Sequence, residues 1–235
     1  MTAANVFART SGAWLFFDTA SYDDDGFVRG FGPKVATSDR LSLAIGLCGR
    51  PPVDWLQNIT AWLDDQPLQA DAIAGLPSLL SSLSANASAA PNRARWWERR
   101  AWKTGTPANV PGIRLLVAWW NAEKGIGEGG VITDVDDLGP AYLPFKLHSV
   151  TNLTSPSPDF GAWFDFDDDL ALGLDFDPVS DGATLGEFER RQPNERGGYR
   201  VGGAFERWHV HADGIDRETV LQWPDRIGRP IKVAA

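Results

Sequence analysis

The segment FFDTASYDDDGFVRGFGPKV, residues 16–35, runs apolar into Asp18, turns at Asp23-Asp24-Asp25-Gly26 and returns through Phe27 and Phe31 to Lys34. One carboxylate and one ammonium group thus stand at the edges of apolar runs on neighbouring strands. Taken alone, the two charges read as a salt bridge or as two solvated strand ends. Other residue types with chemical potential are scattered along the chain. His209 and His211 alternate onto one face of a strand, which could begin a metal site. The sequence offers no third ligand, so they read as a surface histidine pair and no metal is expected. Cys48 is the single cysteine and lies in an apolar run, where a thiol is ordinarily a small core residue. The acidic run DFDDDLALGLDFD lacks the Asp/Asn-Gly pattern and terminal glutamate of a calcium loop and reads as a solvated face. In RARWWERRAWK, residues 93–103, arginines interleave with Trp96, Trp97 and Trp102 in a way that could stack bases. Against a net charge of -9, an arginine–tryptophan interface or a packed loop is the better reading.

The elements that must position these groups are legible in outline. Residues 5–9 and 12–18 read as two short strands, Asp25-Gly26 as a hairpin turn into a third, and residues 41–47 as a fourth. Trp55, Ile59 and Trp62 fall at i, i+4 and i+7, which predicts an amphipathic helix opened by the prolines at 51 and 52. A second helix is expected over Leu76 to Leu83, followed by a loop in SANASAAPN. Residues 113–120 and 131–133 read as strands around GIGEGG, which lacks the lysine and following helix of a phosphate loop and reads as a turn. A short helix is expected over 184–191, and residues 198–211 and 218–233 return to strand-like alternation. Strand runs separated by paired helices suit a layered α+β sandwich better than alternating βαβ units.

With 235 residues, 43% of them hydrophobic, the chain can build one sizeable core, and a single domain over 1–235 is expected. The acidic balance argues against nucleic acid and anionic membranes as partners. The first residues lack a basic stretch leading into an apolar core, and one cysteine allows no disulfide within the chain. A cytoplasmic location is the expectation.

Counted from Thr2, Asp18 lies 16 positions on, Lys34 lies 32 on, and a small-residue turn falls at Leu47-Cys48-Gly49. In this pattern the chain resembles the proteasome β-subunit-like branch of the N-terminal nucleophile hydrolases. The resemblance covers residues 2 to about 50. It implies a four-layer αββα sandwich and a threonine-type peptidase or other amide hydrolase that needs no cofactor. Thr2 would be the nucleophile once Met1 is removed, with its own α-amine, of reference pKa about 7.7–8.0, as the base. Lys34 would favour loss of the hydroxyl proton, and Asp18 would keep Lys34 charged and oriented. The backbone N–H of Cys48 or Gly49 would bind the oxyanion. Ser21, Ala36 and Gly46 match pocket positions, giving a roomy substrate pocket that Arg50 could fringe. The position just after the aspartate, where the family has a basic or amide residue, is Ala20 here, preceded by Thr19, and past residue 110 nothing matches the family's Ser-Gly-rich loop and second aspartate, residues 145–160 being a poor candidate.

A second reading is therefore a catalytically inactive relative acting as a structural or assembly subunit, in a phage-like particle for example. A third, a carbohydrate-binding module using the eleven tryptophans, is less favoured because they are spread over helices and strands alike. The expected partners are a peptide or amide substrate and further copies of the chain in a homo-oligomer.

Overall fold

The structure is a computed structural model, and it describes residues 3–23, 26–49, 51–52, 54–88, 112–136, 138–155, 176–193 and 197–233. Thr2, Met1, Asp24, Asp25, Arg50, the segment 93–103 with Trp96, Trp97 and Trp102, and nearly all of the acidic run lie outside them.

The chain opens with a hairpin. β1 (Ala4–Arg9) pairs antiparallel with β2 (Gly12–Asp18), Ala4 opposite Phe17 and Arg9 opposite Gly12. Every residue of β2 is buried, because both faces of the hairpin are covered; this is why GAWLFFD reads as a continuous apolar run rather than an alternating one. A short ribbon follows, β3 (Ala20–Tyr22) with β4 (Val28–Phe31). Then β5 (Val35–Ser38), β6 (Leu43–Cys48), β7 (Arg114–Asn121), β8 (Ile126–Thr133) and β9 (His148–Ser149) pair in sequence order to make a five-stranded sheet. Between β6 and β7 come α1 (Trp55–Asp65) and α2 (Gln69–Ser88). β10 (Asn152–Leu153) returns to pair with β1, α3 (Gly182–Arg191) follows, and β11 (Ala204–His211) and β12 (Gly214–Gln222) complete a sheet of order β10-β1-β2-β11-β12.

Period-2 alternation decides what each face meets. One face of the first sheet contributes Val6, Leu15, Phe17, Trp208 and Val210 to a core shared with Ala44, Leu116 and Val131 of the second. The other face of the second sheet packs Ile45, Val117 and Ile132 against Ile59, Leu63, Leu76 and Leu80 of α1 and α2. The opposite face of the first sheet gathers Phe7, Phe16 and Phe205 with Leu185 and Phe188 of α3.

This corrects the expected fold. Among the described residues the protein is mostly β, 22% helical and 39% strand in three antiparallel sheets, and it is not an αββα sandwich. The physical reason lies in α3. Ten residues make a helix about 15 Å long, short against five strands spaced about 4.8 Å apart; it lies chiefly on β11 and β12 and meets β1 and β2 through Asn5 and Phe16. Among the described residues, α1 and α2 pack on the second sheet.

Two local expectations also change. GIGEGG is not a turn: the turn is at residues 122–125, and Ile126 to Gly130 already belong to β8. Its glycines serve close packing, since a Cβ at Gly127 would overlap the Gly12 carbonyl in the facing hairpin. The second helix begins at Gln69 rather than Leu76 and runs through Pro77 to Ser88, taking in residues read as loop. The C-terminal carbonyls of α1 are met from outside, by the Arg40 guanidinium donating to Leu63 O at 3.3 Å and Gln66 O at 2.6 Å.

Candidate functional site

Asp18 ends β2 between two covered faces, and its side chain is 0% exposed. A carboxyl in such a place must find donors. Oδ1 accepts from Lys34 Nζ at 2.8 Å and from the Ala3 backbone N–H at 3.1 Å, and Oδ2 accepts from the Gly202 N–H at 3.2 Å. Burial pushes the Asp18 carboxyl above its ordinary value, while the Lys34 charge and the hydrogen bonds from Lys34 and Gly202 pull it back. Lys34 is 12% exposed, so this is an ion pair largely removed from water.

The lysine is set by its strand. It directly precedes β5, and its carbonyl accepts from the Leu47 N–H at 3.0 Å, which places it beside the end of β6. There Gly49 has φ +111°, a conformation that side chains strain to adopt, and a Cβ on it would overlap the Gly112 carbonyl oxygen. Leu47 and Cys48, expected in a turn, belong to β6, and the strand ends next to the lysine at Gly49, a position that only glycine fits. Cys48 is half-buried and pairs in register with Arg114.

The sequence-predicted residues therefore divide. Asp18, Lys34, Cys48 and Gly49 are brought to one end of the hairpin. Thr2 lies outside the described residues, but Ala3, to which it is bonded, donates to Asp18. Gly46 stands opposite Val35, and a Cβ there would overlap the Phe17 ring. Ala36 is buried in the cluster beneath α1 and α2. Ser21 is exposed on the β3–β4 ribbon, its Oγ donating to Gly30 O at 3.2 Å. Beside the pair, a cleft of about 320 Å³ is lined by Thr19, Phe31, Pro33, Gly203, Gln222 and Asp225.

Several residues that build the site were not singled out from sequence. Thr19 Oγ1 accepts from the Ala204 N–H at 2.8 Å. Gly203 has φ +80°, and its N–H donates to Asp225 at 2.9 Å. Asp225 is held by both guanidinium nitrogens of Arg190, each at 2.8 Å, with the two side chains 6% and 5% exposed. Arg190 also donates to Val201 O, so this pair anchors the chain just before Gly202. The adjacent glycines at 202 and 203 inside a strand-like stretch were the available signal, since glycine there marks a close backbone approach. Glu189 of α3 is buried behind the site. Its Oε2 accepts from Asn5 Nδ2 at 3.1 Å, and burial pushes its carboxyl well above the ordinary range, the Asn5 hydrogen bond opposing and the Asp18 charge reinforcing the shift.

Chemically, the arrangement presents one ammonium group, held by a buried carboxyl, next to the backbone entering β1. No helix among the described residues is long and apolar enough to cross a membrane. Compared with known proteins, the chain matches no protein-family model and no curated protein.

Proposed function

We infer that the chain is an N-terminal threonine amide hydrolase, a proteasome-like peptidase, acting through Thr2 after Met1 has been removed. One observation carries the reading: Lys34 Nζ and the Ala3 N–H share a single oxygen of Asp18, at 2.8 and 3.1 Å. The two nitrogens are therefore no more than 5.9 Å apart, and Ala3 N is the nitrogen of the peptide bond to Thr2. An ammonium group this close to the first residues favours a deprotonated hydroxyl there. In the proposed reaction the free α-amine of Thr2 takes the hydroxyl proton as Oγ attacks the substrate carbonyl carbon. The oxyanion is met by the backbone N–H of Cys48 or Gly49. The C–N bond then breaks, the proton passes to the leaving amine, and water hydrolyses the resulting ester.

The test is intact-mass spectrometry of the purified protein, followed by an electrophile selective for N-terminal threonine. A chain beginning at Thr2 and labelled once is expected, with the labelling suppressed by Lys34→Ala and, more weakly, by Asp18→Asn. Circular dichroism checks that the variants fold. Retention of Met1 in nearly all molecules would leave Thr2 without a free amine and turn the assignment to a catalytically inactive assembly subunit. Equal labelling of wild type and Lys34→Ala would remove the lysine from the chemistry.

A further inference from the structure

At the far end of β11 from Asp18, the strand register assembles three metal-ligating side chains. His209 and His211 share a face of β11, and across the antiparallel pairing with β12 Asp216 stands opposite His209. Gly214 stands opposite His211 and carries no side chain, so the His211 ring is open toward Asp216, with its Nε2 3.0 Å from Oδ2. One ring nitrogen of each histidine and one oxygen of Asp216 all lie within 4.8 Å of one another. The third ligand that the His-X-His pattern lacked in the sequence is therefore supplied by the next strand.

The histidines are held for the purpose by packing. His209 stacks on Trp14 at 4.3 Å and on His211 at 4.5 Å, centroid to centroid. It leans over Gly12, where any Cβ would overlap its Nε2. That nitrogen is buried and has no partner of hydrogen-bond geometry among the described residues, the Ser11 backbone nearby exerting only a weaker pull. Burial, and then the neighbouring His211, hold the His209 imidazole below its ordinary pKa. Beyond it opens a cleft of about 360 Å³ reached by Trp14, Arg207, His209 and Asp216. The Arg207 charge there is paired with Glu218. On its other side the His211 ring is met by Asp213, whose backbone N–H donates to Nδ1 at 3.4 Å.

We propose that His209, His211 and Asp216 form a binding site for a divalent transition-metal ion of the zinc class, with water completing the coordination. Two imidazoles and one carboxylate suit zinc and disfavour calcium or magnesium, which take oxygen donors. In a tetrahedral shell with bonds of about 2.0–2.1 Å, donors sit roughly 3.3 Å apart. His211 Nε2 and Asp216 Oδ2, 3.0 Å apart, already stand near this spacing, and the Asp216 side chain is 78% exposed and open to adjustment. The ion would bridge β11 to β12 next to their connecting turn. The site stands several residues along β11 from Phe205, the partner of Asp18 in register, and is independent of the threonine chemistry.

The experiment is calorimetric titration of zinc chloride into untagged, chelator-treated protein, with thermal melts alongside. One zinc per chain is expected, together with a higher melting temperature in zinc. Outer-shell partners of bound metals are worth about 10- to 100-fold in affinity; His209→Ala, His211→Ala and Asp216→Asn should each weaken binding by at least that much, and all should abolish the zinc-dependent rise in melting temperature. His148→Ala, which changes the remaining histidine of the chain, should bind as wild type. Asp216 is exposed, so its variant keeps the test valid if a histidine variant fails to fold. No binding at millimolar zinc, or unweakened binding in Asp216→Asn, overturns the proposal.

Discussion

Glu189→Gln offers the sharpest check on the interior behind the candidate site. Glu189 is 1% exposed, its Oε1 has no hydrogen-bond partner among the described residues, and only Asn5 donates to its Oε2. Because its folded pKa is raised well above 4.5, the folded protein retains a proton that the unfolded chain releases. Stability is then fully present below about pH 4.5 and declines as pH rises toward the folded pKa, with a slope of up to about 1.4 kcal/mol per pH unit. Above that value the penalty levels off. Glutamine keeps the acceptor for Asn5 and has no proton to lose, so its stability relative to wild type should grow across the same window and match it closely in acid. Urea unfolding at a series of pH values, read as wild type minus variant, isolates this one group. Adding Asp18→Asn removes the charge that reinforces the shift and should narrow the window. A wild-type-minus-variant difference that stays constant with pH would refute the reasoning.

Two further outcomes follow from the geometry. Gly49→Ala combines a positive φ with overlap on the Gly112 carbonyl and should lower unfolding stability by roughly 2–4 kcal/mol; a loss below about 0.5 kcal/mol, the range of ordinary surface changes, would contradict it. Asp225→Asn strands the buried Arg190 charge and should destabilise by about 3–5 kcal/mol, whereas the double change Arg190→Met with Asp225→Leu should recover part of that loss. A double variant no more stable than the single one would show that the charges are not coupled.

What the sequence revealed, and what it hid, follows the range of the forces involved. β1 and β2 were expected over 5–9 and 12–18 and run over Ala4–Arg9 and Gly12–Asp18, because a two-residue turn and continuous apolar runs are local signals. α1 was equally plain from Trp55, Ile59 and Trp62, of which Ile59 is buried and the tryptophans pack around the cluster edge. The start of α2 was missed because Gly75 and Pro77 punctuate a helix whose stability comes from Leu76, Leu79, Leu80 and Leu83 against the sheet. Glycines in β8 passed for a turn because their purpose, letting two sheets approach, belongs to tertiary packing. Asp18 and Lys34 could be singled out, since each breaks an apolar run. Gly202, Asp225 and Asp216 could not, because each acts only through a partner brought close by pairing of distant strands.

That pairing also has a consequence in time. β2 has β1 on one side within a few residues, but its other neighbour is β11, and the Gly202 amide that completes Asp18 comes 184 residues later in the chain. At about 5–20 residues per second, the interval during synthesis is on the order of 10–40 s. Throughout it a strand that ends wholly buried has one open edge, the kind of surface that recruits strands from other chains. A ribosome stalled before residue 202 therefore holds a nascent chain with an unpaired strand edge and a carboxyl one donor short, a species that holding chaperones would be expected to protect.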